Sequence, residues 1–245
     1  MQLNNLNKDG KITIFVPIRR GSKRIKNKNI KALPGFRMGL TELKIKQLNK
    51  LRLKCKKNKK INLDFVISTD CKKVKKFVQN IRWIKTFNRD KLLATDDSLS
   101  KLIKHVPSIC KNQYILWTHV TSPLFDEKDY INFIKKFFKM KKKYKTSKSG
   151  FSADLLQKFF LDHKGKWISH NYKKKKWPRT QDLKPHFIIN SAAFISSRDV
   201  YLKENDRLCK KPIPILSKYC SGFDIDTLED FKILKNEHYI KKLKS

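Results

Sequence analysis

The chain has 245 residues and a formal net charge of +38, with 59 Lys and Arg against 21 Asp and Glu. That length can bury the core of one large α/β domain. No stretch approaches the roughly 20 apolar residues of a membrane span and the first ten residues are polar rather than signal-like, so a cytoplasmic protein without a membrane segment is expected. Such a charge ordinarily points to nucleic acid, but the lysines are spread over nearly the whole chain and arginines are few, which argues against one selected polyanion-binding face. Cys55, Cys71, Cys110, Cys209 and Cys220 show neither a CxxC pair nor a His partner at metal spacing, so neither a zinc site nor a disulfide framework is indicated.

Short apolar runs alternate with helical patterns from the N-terminus onward, as in βαβ units on a mostly parallel sheet. Strands are predicted at 11–18, 63–68, 83–87 and 114–118. Amphipathic helices are predicted at 40–54, 72–79 and 98–109, with Asp97 or Ser98 capping the third, and another at 127–143. Residues 146–186 change character, with short alternating runs in a Lys-rich background, and predict a β-containing inserted lobe or dimerisation arm within a single 1–245 domain. A strand at 187–195, a short helix near Arg198 and a last helix at 228–236 complete the chain. Trp117 and Phe187 read as core residues. The fold class is thus α/β, a Rossmann-like mostly parallel sheet flanked by helices, with a small inserted lobe.

The first strand empties into Arg19-Arg20-Gly21-Ser22-Lys23-Arg24, a Gly/Ser-containing basic turn that offers backbone N–H groups and cations together, as a polyphosphate requires. Ligands of open α/β sheets bind beyond the carboxyl ends of the strands. The turns at Arg19 onward, Thr69-Asp70, Asn88-Arg89-Asp90 and 119–123 should therefore meet at one crevice. In so basic a chain, Asp224 and Asp226 stand out. One residue apart on an extended segment, their carboxylates face the same way and suit one Mg²⁺. Asp226 as N-cap of the final helix is the simpler alternative.

Five blocks in order resemble the acylneuraminate cytidylyltransferase (CMP-sialic acid synthetase) family. These are Arg19-Arg20-Gly21-Ser22-Lys23-Arg24-Ile25-Lys26-Asn27-Lys28-Asn29, Ser68-Thr69-Asp70, Arg89 with Leu93-Ala94-Thr95-Asp96, Thr121-Ser122-Pro123-Leu124, and Asp224-Ile225-Asp226. Arg179-Thr180-Gln181-Asp182-Leu183 and Asn190-Ser191-Ala192 are similar to its sugar-side elements. Ile18, Arg20 and Arg24 depart from the loop pattern. His119-Val120 replaces Gln-Pro and Ser191 replaces Gly, which implies a divergent branch with an unusual acceptor.

The resemblance implies attack by the anomeric hydroxyl of a nonulosonic or related 2-keto-3-deoxy sugar acid on the α-phosphate of CTP, releasing pyrophosphate. It implies nucleotide contacts from Arg19, Gly21, Ser22, Lys28, Asn29 and Arg89, and Mg²⁺ on Asp224 and Asp226. Arg19, Lys28 and Asp224 would carry catalysis, with His119 or Asp70 available as a base. Acceptor contacts would come from His119, Thr121, Ser122, Arg179, Gln181 and Asn190, and a homodimer is expected. Three alternatives stand beside this: a 3-deoxy-manno-octulosonate-type cytidylyltransferase, an inactive homologue, and a non-catalytic nucleic-acid-binding protein using the lysine surface.

Overall fold

The computed structural model describes residues 11–58, 61–95, 98–145 and 147–236. Seven strands form one sheet in the order β3-β2-β1-β4-β6-β5-β7. They are β1 (Ile12–Ile18), β2 (Leu63–Thr69), β3 (Ile84–Asn88), β4 (Tyr114–Thr118), β5 (Ser149–Leu156), β6 (His186–Ser197) and β7 (Ile213–Leu216). β1 pairs parallel with β2 and β4, β2 with β3, and β5 with β7; β6 runs antiparallel to both β4 and β5. The sheet is therefore mostly parallel, with helices on its faces.

Helices cover both faces, which is why the central strands read as near-continuous apolar runs. Ile14, Val16, Phe65, Ile67 and Leu116 point to one face, with residues of α1 (Gly39–Asn58), α2 (Lys72–Val78), α4 (Glu127–Lys143) and α6 (Leu228–Lys235). Phe15, Val66, Ile115 and Trp117 point to the other, with α3 (Leu99–Ile109) and Tyr201 of α5 (Arg198–Glu204). This is the period-2 alternation of strands meeting two separate helical layers. α4 starts at an Asp126–Asp129 capping box and ends on Lys141, Lys142 and Lys143, so charge complements the dipole at both ends. Among the described residues no helix is long and apolar enough to cross a membrane.

Three features differ from the sequence expectation. The expected lobe at 146–186 begins too early, because Ser149–Leu156 is a strand inside the main sheet and only 157–185 leaves it. Small residues hide this strand. A Cβ on Gly150 would lie 3.0 Å from Phe137 Cδ2 and 3.1 Å from the Ile213 carbonyl oxygen, so glycine lets α4 and β7 close on β5. Strand β7 was not expected at all; four residues interrupted by Pro214 give little pattern. Ser98 precedes α3, but its hydroxyl donates to the Thr95 carbonyl at 2.6 Å instead of capping the helix, and Asp97 lies outside the described residues.

The 157–185 excursion carries its own small aromatic cluster. Phe159, Trp167, His170 and Trp177 pack edge to face with centroids 5.0–6.1 Å apart.

Candidate active site

β1 ends at Ile18 and the basic loop begins. Gly21 (φ 78°) and Asn27 (φ 57°) adopt left-handed backbone, which turns the chain back across the sheet end. The loop is stapled in place: Arg20 N donates to Asp70 Oδ1 at 2.6 Å, Asn29 Nδ2 to the Arg19 carbonyl at 3.2 Å, and Thr41 Oγ1 to the Asn29 carbonyl at 2.7 Å. The anchors come from the end of β2 and the first turn of α1. Beyond the carboxyl ends of β1 and β4 opens a cleft of about 640 Å³.

Arg19, Ser22, Arg24 and Lys28 form its basic wall. Arg89, Leu93, Thr95, Leu99 and Leu102 line a second side, and Trp117, His119 and Thr121 a third. Asp226 closes the cleft against Lys28 and Arg24, 3.1 and 3.2 Å from their side chains. Lys28 also donates to the Ile225 carbonyl. Residues from four separated segments thus converge, an apolar slot lying opposite a cationic loop.

Arg89 is buried, not a surface arginine. Its Nη2 donates to the Ser68 carbonyl at 2.8 Å and its Nε to Ser68 Oγ at 3.3 Å. Burial lowers its guanidinium to about 10, so it stays cationic at neutral pH, with Asp70 partly offsetting the shift.

Trp117 is core, as expected, yet it touches the cleft and its Nε1 donates to His119 Nε2 at 3.0 Å. An indole N–H only donates, so His119 Nε2 is an acceptor and the proton of the neutral ring sits on Nδ1. Burial, reinforced by the charges of Arg207, Lys44, Arg89 and Lys28, lowers His119 to about 3. In this arrangement His119 is a neutral hydrogen-bond donor rather than a general base. Arg207 escaped the sequence reading because it sits in a polar turn without periodicity. Its guanidinium lies 3.7 Å from the Phe194 ring centroid and 5.1 Å from that of Trp117.

Residue Thr227, not Asp226, caps α6: its hydroxyl accepts from Asp230 N at 3.2 Å and Asp230 Oδ2 accepts from Thr227 N at 2.7 Å. Asp226 is thereby free to face the cleft. Asp224 Oδ1 is buried with no hydrogen-bond partner among the described residues, and the Thr121 side chain favours the charged form of the carboxylate. Burial raises its pKa, assisted by Asp226 and opposed by Thr121 and Lys28. The Thr121 carbonyl accepts from Ile225 N at 2.8 Å, tying the β4-end loop to the acidic segment.

The remaining expected residues fall elsewhere. Gly21 lines a neighbouring cavity of about 440 Å³ on the other side of the basic loop, with Arg20, Lys72 and Lys73. Ser122 is fully buried beneath the cleft. Asn190 is buried under the turn that leads to Asp224: its Oδ1 accepts from Ser152 Oγ (2.6 Å) and its Nδ2 donates to Asp154 Oδ1 (3.0 Å) and Ser217 Oγ (2.9 Å). Neither borders the cleft, because their polar atoms are spent on, or enclosed by, neighbouring segments. Arg179 and Gln181 lie exposed on the 157–185 excursion, Arg179 forked onto Asp182 at 2.9 and 3.1 Å. Asp96 lies outside the described residues.

Known proteins share this fold. The cytidylyltransferase family model matches residues 13–243. CMP:2-keto-3-deoxy-manno-octonic acid synthetase, solved with CTP, superposes with a TM-score of 0.59 at 12% identity, covering 94% of this chain and 99% of that one. The 4-diphosphocytidyl-2C-methyl-D-erythritol synthase of Anaerococcus prevotii superposes at 0.57 with 11% identity, covering 94% and 98%. A cytidylyltransferase from Leptospira borgpetersenii gives 0.50 with 14% identity, covering 92% and 85%. No curated protein sequence matches. The solved structures share the fold, and with the family model spanning nearly the whole sequence the chain belongs to the cytidylyltransferase family, enzymes that transfer CMP from CTP.

Proposed function

We propose that this enzyme transfers CMP to the anomeric hydroxyl of a sialic-acid-like nonulosonic acid or a closely related 2-keto-3-deoxy sugar acid, in the cytoplasm, releasing pyrophosphate. The observation that carries the reading is the convergence of the Arg19–Lys28 loop, buried Arg89 and Asp226 on one cleft, with Asp224 buried two residues before Asp226. Phosphoryl transfer demands positioning and charge neutralisation more than covalent chemistry, and this cleft offers both. Arg19, Ser22, Lys28 and Asn29 would take the phosphates, with the backbone at Gly21 contributing to the loop's shape. The slot of Leu93, Leu99 and Leu102 beside Arg89 suits a pyrimidine ring.

The acidic segment fits Mg²⁺, with a buried carboxylate oxygen lacking a partner on Asp224 and a second carboxylate two residues on. Among the described residues no group of three or more His, Cys, Asp or Glu gathers to hold a metal, which suits an ion that completes its shell with water and phosphate. Bound there by Asp224 and Asp226, it would neutralise phosphate charge. Lys28, already on Asp226, keeps a cation between the acidic segment and the cleft. Neutral His119 presents a donor to an acceptor oxygen, and Thr121 borders the same end. Ser122 and Asn190 are assigned no acceptor contact.

The acceptor end also involves a second copy in this reading. Leu155, Phe187, Ile188 and Ile189 are 46–48% exposed on the projecting β5–β6 ribbon, Phe187 included although its sequence context suggested core. Covering that ribbon in a homodimer would give Arg179 and Gln181 a place near a cleft. The eight-carbon acid is the second reading, favoured by the likeness to the octonic acid synthetase.

The test is pyrophosphate release with CTP and Mg²⁺ across eight- and nine-carbon 2-keto-3-deoxy acids and 2-C-methyl-D-erythritol 4-phosphate, with Asp224→Asn as control. Turnover with a nine-carbon acid, lost in the control, supports the reading. Turnover with only the eight-carbon acid selects the second reading, and turnover with only the erythritol phosphate replaces the acceptor assignment. Salt-sensitive RNA or DNA binding that ignores Asp224→Asn, without turnover, would favour the nucleic-acid alternative.

A further inference from the structure

Behind the cleft, Lys44 of α1 is only 1% exposed, and among the described residues no carboxylate is hydrogen-bonded to it. Its Nζ meets three oxygens: the Ser122 carbonyl at 2.9 Å, the Phe125 carbonyl at 3.2 Å and Tyr130 OH at 3.0 Å. The direction of each bond follows from counting protons. Thr118 Oγ1 spends its one proton on the Ala192 carbonyl at 2.8 Å. Tyr130 OH, 2.5 Å from Thr118 Oγ1, must therefore donate to it, and has only its oxygen left for Lys44. Carbonyls only accept, so all three contacts draw a proton from Lys44, which satisfies them only as an ammonium.

These contacts fasten the 121–126 loop to α1, α4 and the sheet. Gln47 adds a bond to the Pro123 carbonyl at 2.6 Å. The same loop carries Thr121, whose carbonyl accepts from Ile225 N at 2.8 Å, between Asp224 and Asp226, and whose side chain favours the charged Asp224 carboxylate. We propose that Lys44 is a positioning residue, an ammonium whose three donated protons fix the 121–125 loop and through Thr121 hold the Asp224–Asp226 segment in place. The proposal rests on the function proposed above for that segment, but its primary readout does not.

Burial lowers the Lys44 amine to about 7; Asp126 and Asp129 at the start of α4 raise it partly, and Asp129 is in turn paired with Lys218 at 3.3 Å. His119 on the sheet side is neutral and Tyr130, pushed up by burial, stays protonated. Losing a Lys44 proton leaves one of the three oxygens without a donor. The anchor then loosens as pH rises through this range. Overall stability moves the opposite way between about 7 and 10.5, since the unfolded chain holds the proton longer.

The test is amide exchange by NMR in Lys44→Met and Tyr130→Phe. In Lys44→Met, the Ile225 amide should exchange at least about tenfold faster, while β2 and α3 amides change little. Pyrophosphate release should lose kcat with KM for CTP within about twofold, and the alkaline limb of the wild-type pH profile should vanish. Tyr130→Phe leaves Lys44 two carbonyls, which a neutral amine's two protons can satisfy, so its alkaline limb should flatten; this variant carries the test if Lys44→Met does not fold. Unchanged Ile225 exchange, uniform acceleration across the chain, or an unchanged limb in Tyr130→Phe would overturn the proposal. Altered Ile225 exchange in a protein inactive with every acceptor would instead indict the proposed function.

Discussion

Gly222 should tolerate no side chain, and the reason can be worked through from the structure. Its backbone does not lie in the left-handed region, so the constraint is one of space. An alanine Cβ would stand 2.2 Å from Asn190 Nδ2, 2.6 Å from its Cγ and 2.9 Å from its Cβ, where ordinary contact begins near 3.4 Å. Asn190 cannot swing away without losing its bonds to Ser152, Asp154 and Ser217. An overpacked site costs about 1–3 kcal/mol, and three lost hydrogen bonds about 1 kcal/mol each, so Gly222→Ala should destabilise by about 4–6 kcal/mol. Because the turn leads into Asp224, activity should fall as well. Urea unfolding of Gly222→Ala, Asn190→Ala and the double variant measures this directly. In Asn190→Ala only the 2.9 Å contact survives, so adding Gly222→Ala there should cost at least about 1 kcal/mol less than in wild type. Additive costs, or a neutral Gly222→Ala, would refute the reasoning and return Asn190 to the substrate-binding role suggested by its motif.

Other consequences are open to the same treatment. Arg89→Met should raise KM for CTP about 10- to 100-fold, the effect of losing one charge-assisted contact, and CTP titration by calorimetry checks it. Ser191 holds φ 60° where the family pattern has glycine, so Ser191→Gly should raise stability by about 1 kcal/mol in urea; no gain would mean that the conformation is not strained. Burial raises Asp224 above its unfolded pKa, so its contribution to stability is complete below the unfolded value and is lost as pH rises through the folded one. Asp224→Asn should accordingly melt higher than wild type at pH 7 while losing turnover, and a lower melting point would contradict this sign. Nitrogen-15 NMR should find His119 neutral at pH 5 with the proton on Nδ1, as its titration near 3 and its bond from Trp117 require.

The parallel half of the sheet was legible in the sequence because buried strands are apolar on both faces, and Ile12–Ile18 and Tyr114–Thr118 announce themselves. β5 was obscured by Ser149, Gly150 and Ser152, which are small because α4 and β7 press close, not because the segment is a loop. At the site, the basic turn and Arg89 were readable from residue type and order, and both line the cleft. For Asn190 and Ser122 a motif identifies a position, whereas whether the polar atoms face a ligand or the core depends on partners distant in sequence. The same limit hid Lys44 and Arg207: an isolated lysine among 59 basic residues gives no hint that its ammonium is buried.

The most direct measurement of the central claim is mass-spectrometric identification of the product formed from CTP and a mixture of nine- and eight-carbon 2-keto-3-deoxy acids. The account predicts a nine-carbon acid joined to CMP, formed with stoichiometric pyrophosphate and absent with Asp224→Asn. CMP joined only to the eight-carbon acid, or a protein that binds CTP and joins CMP to neither acid, would contradict it.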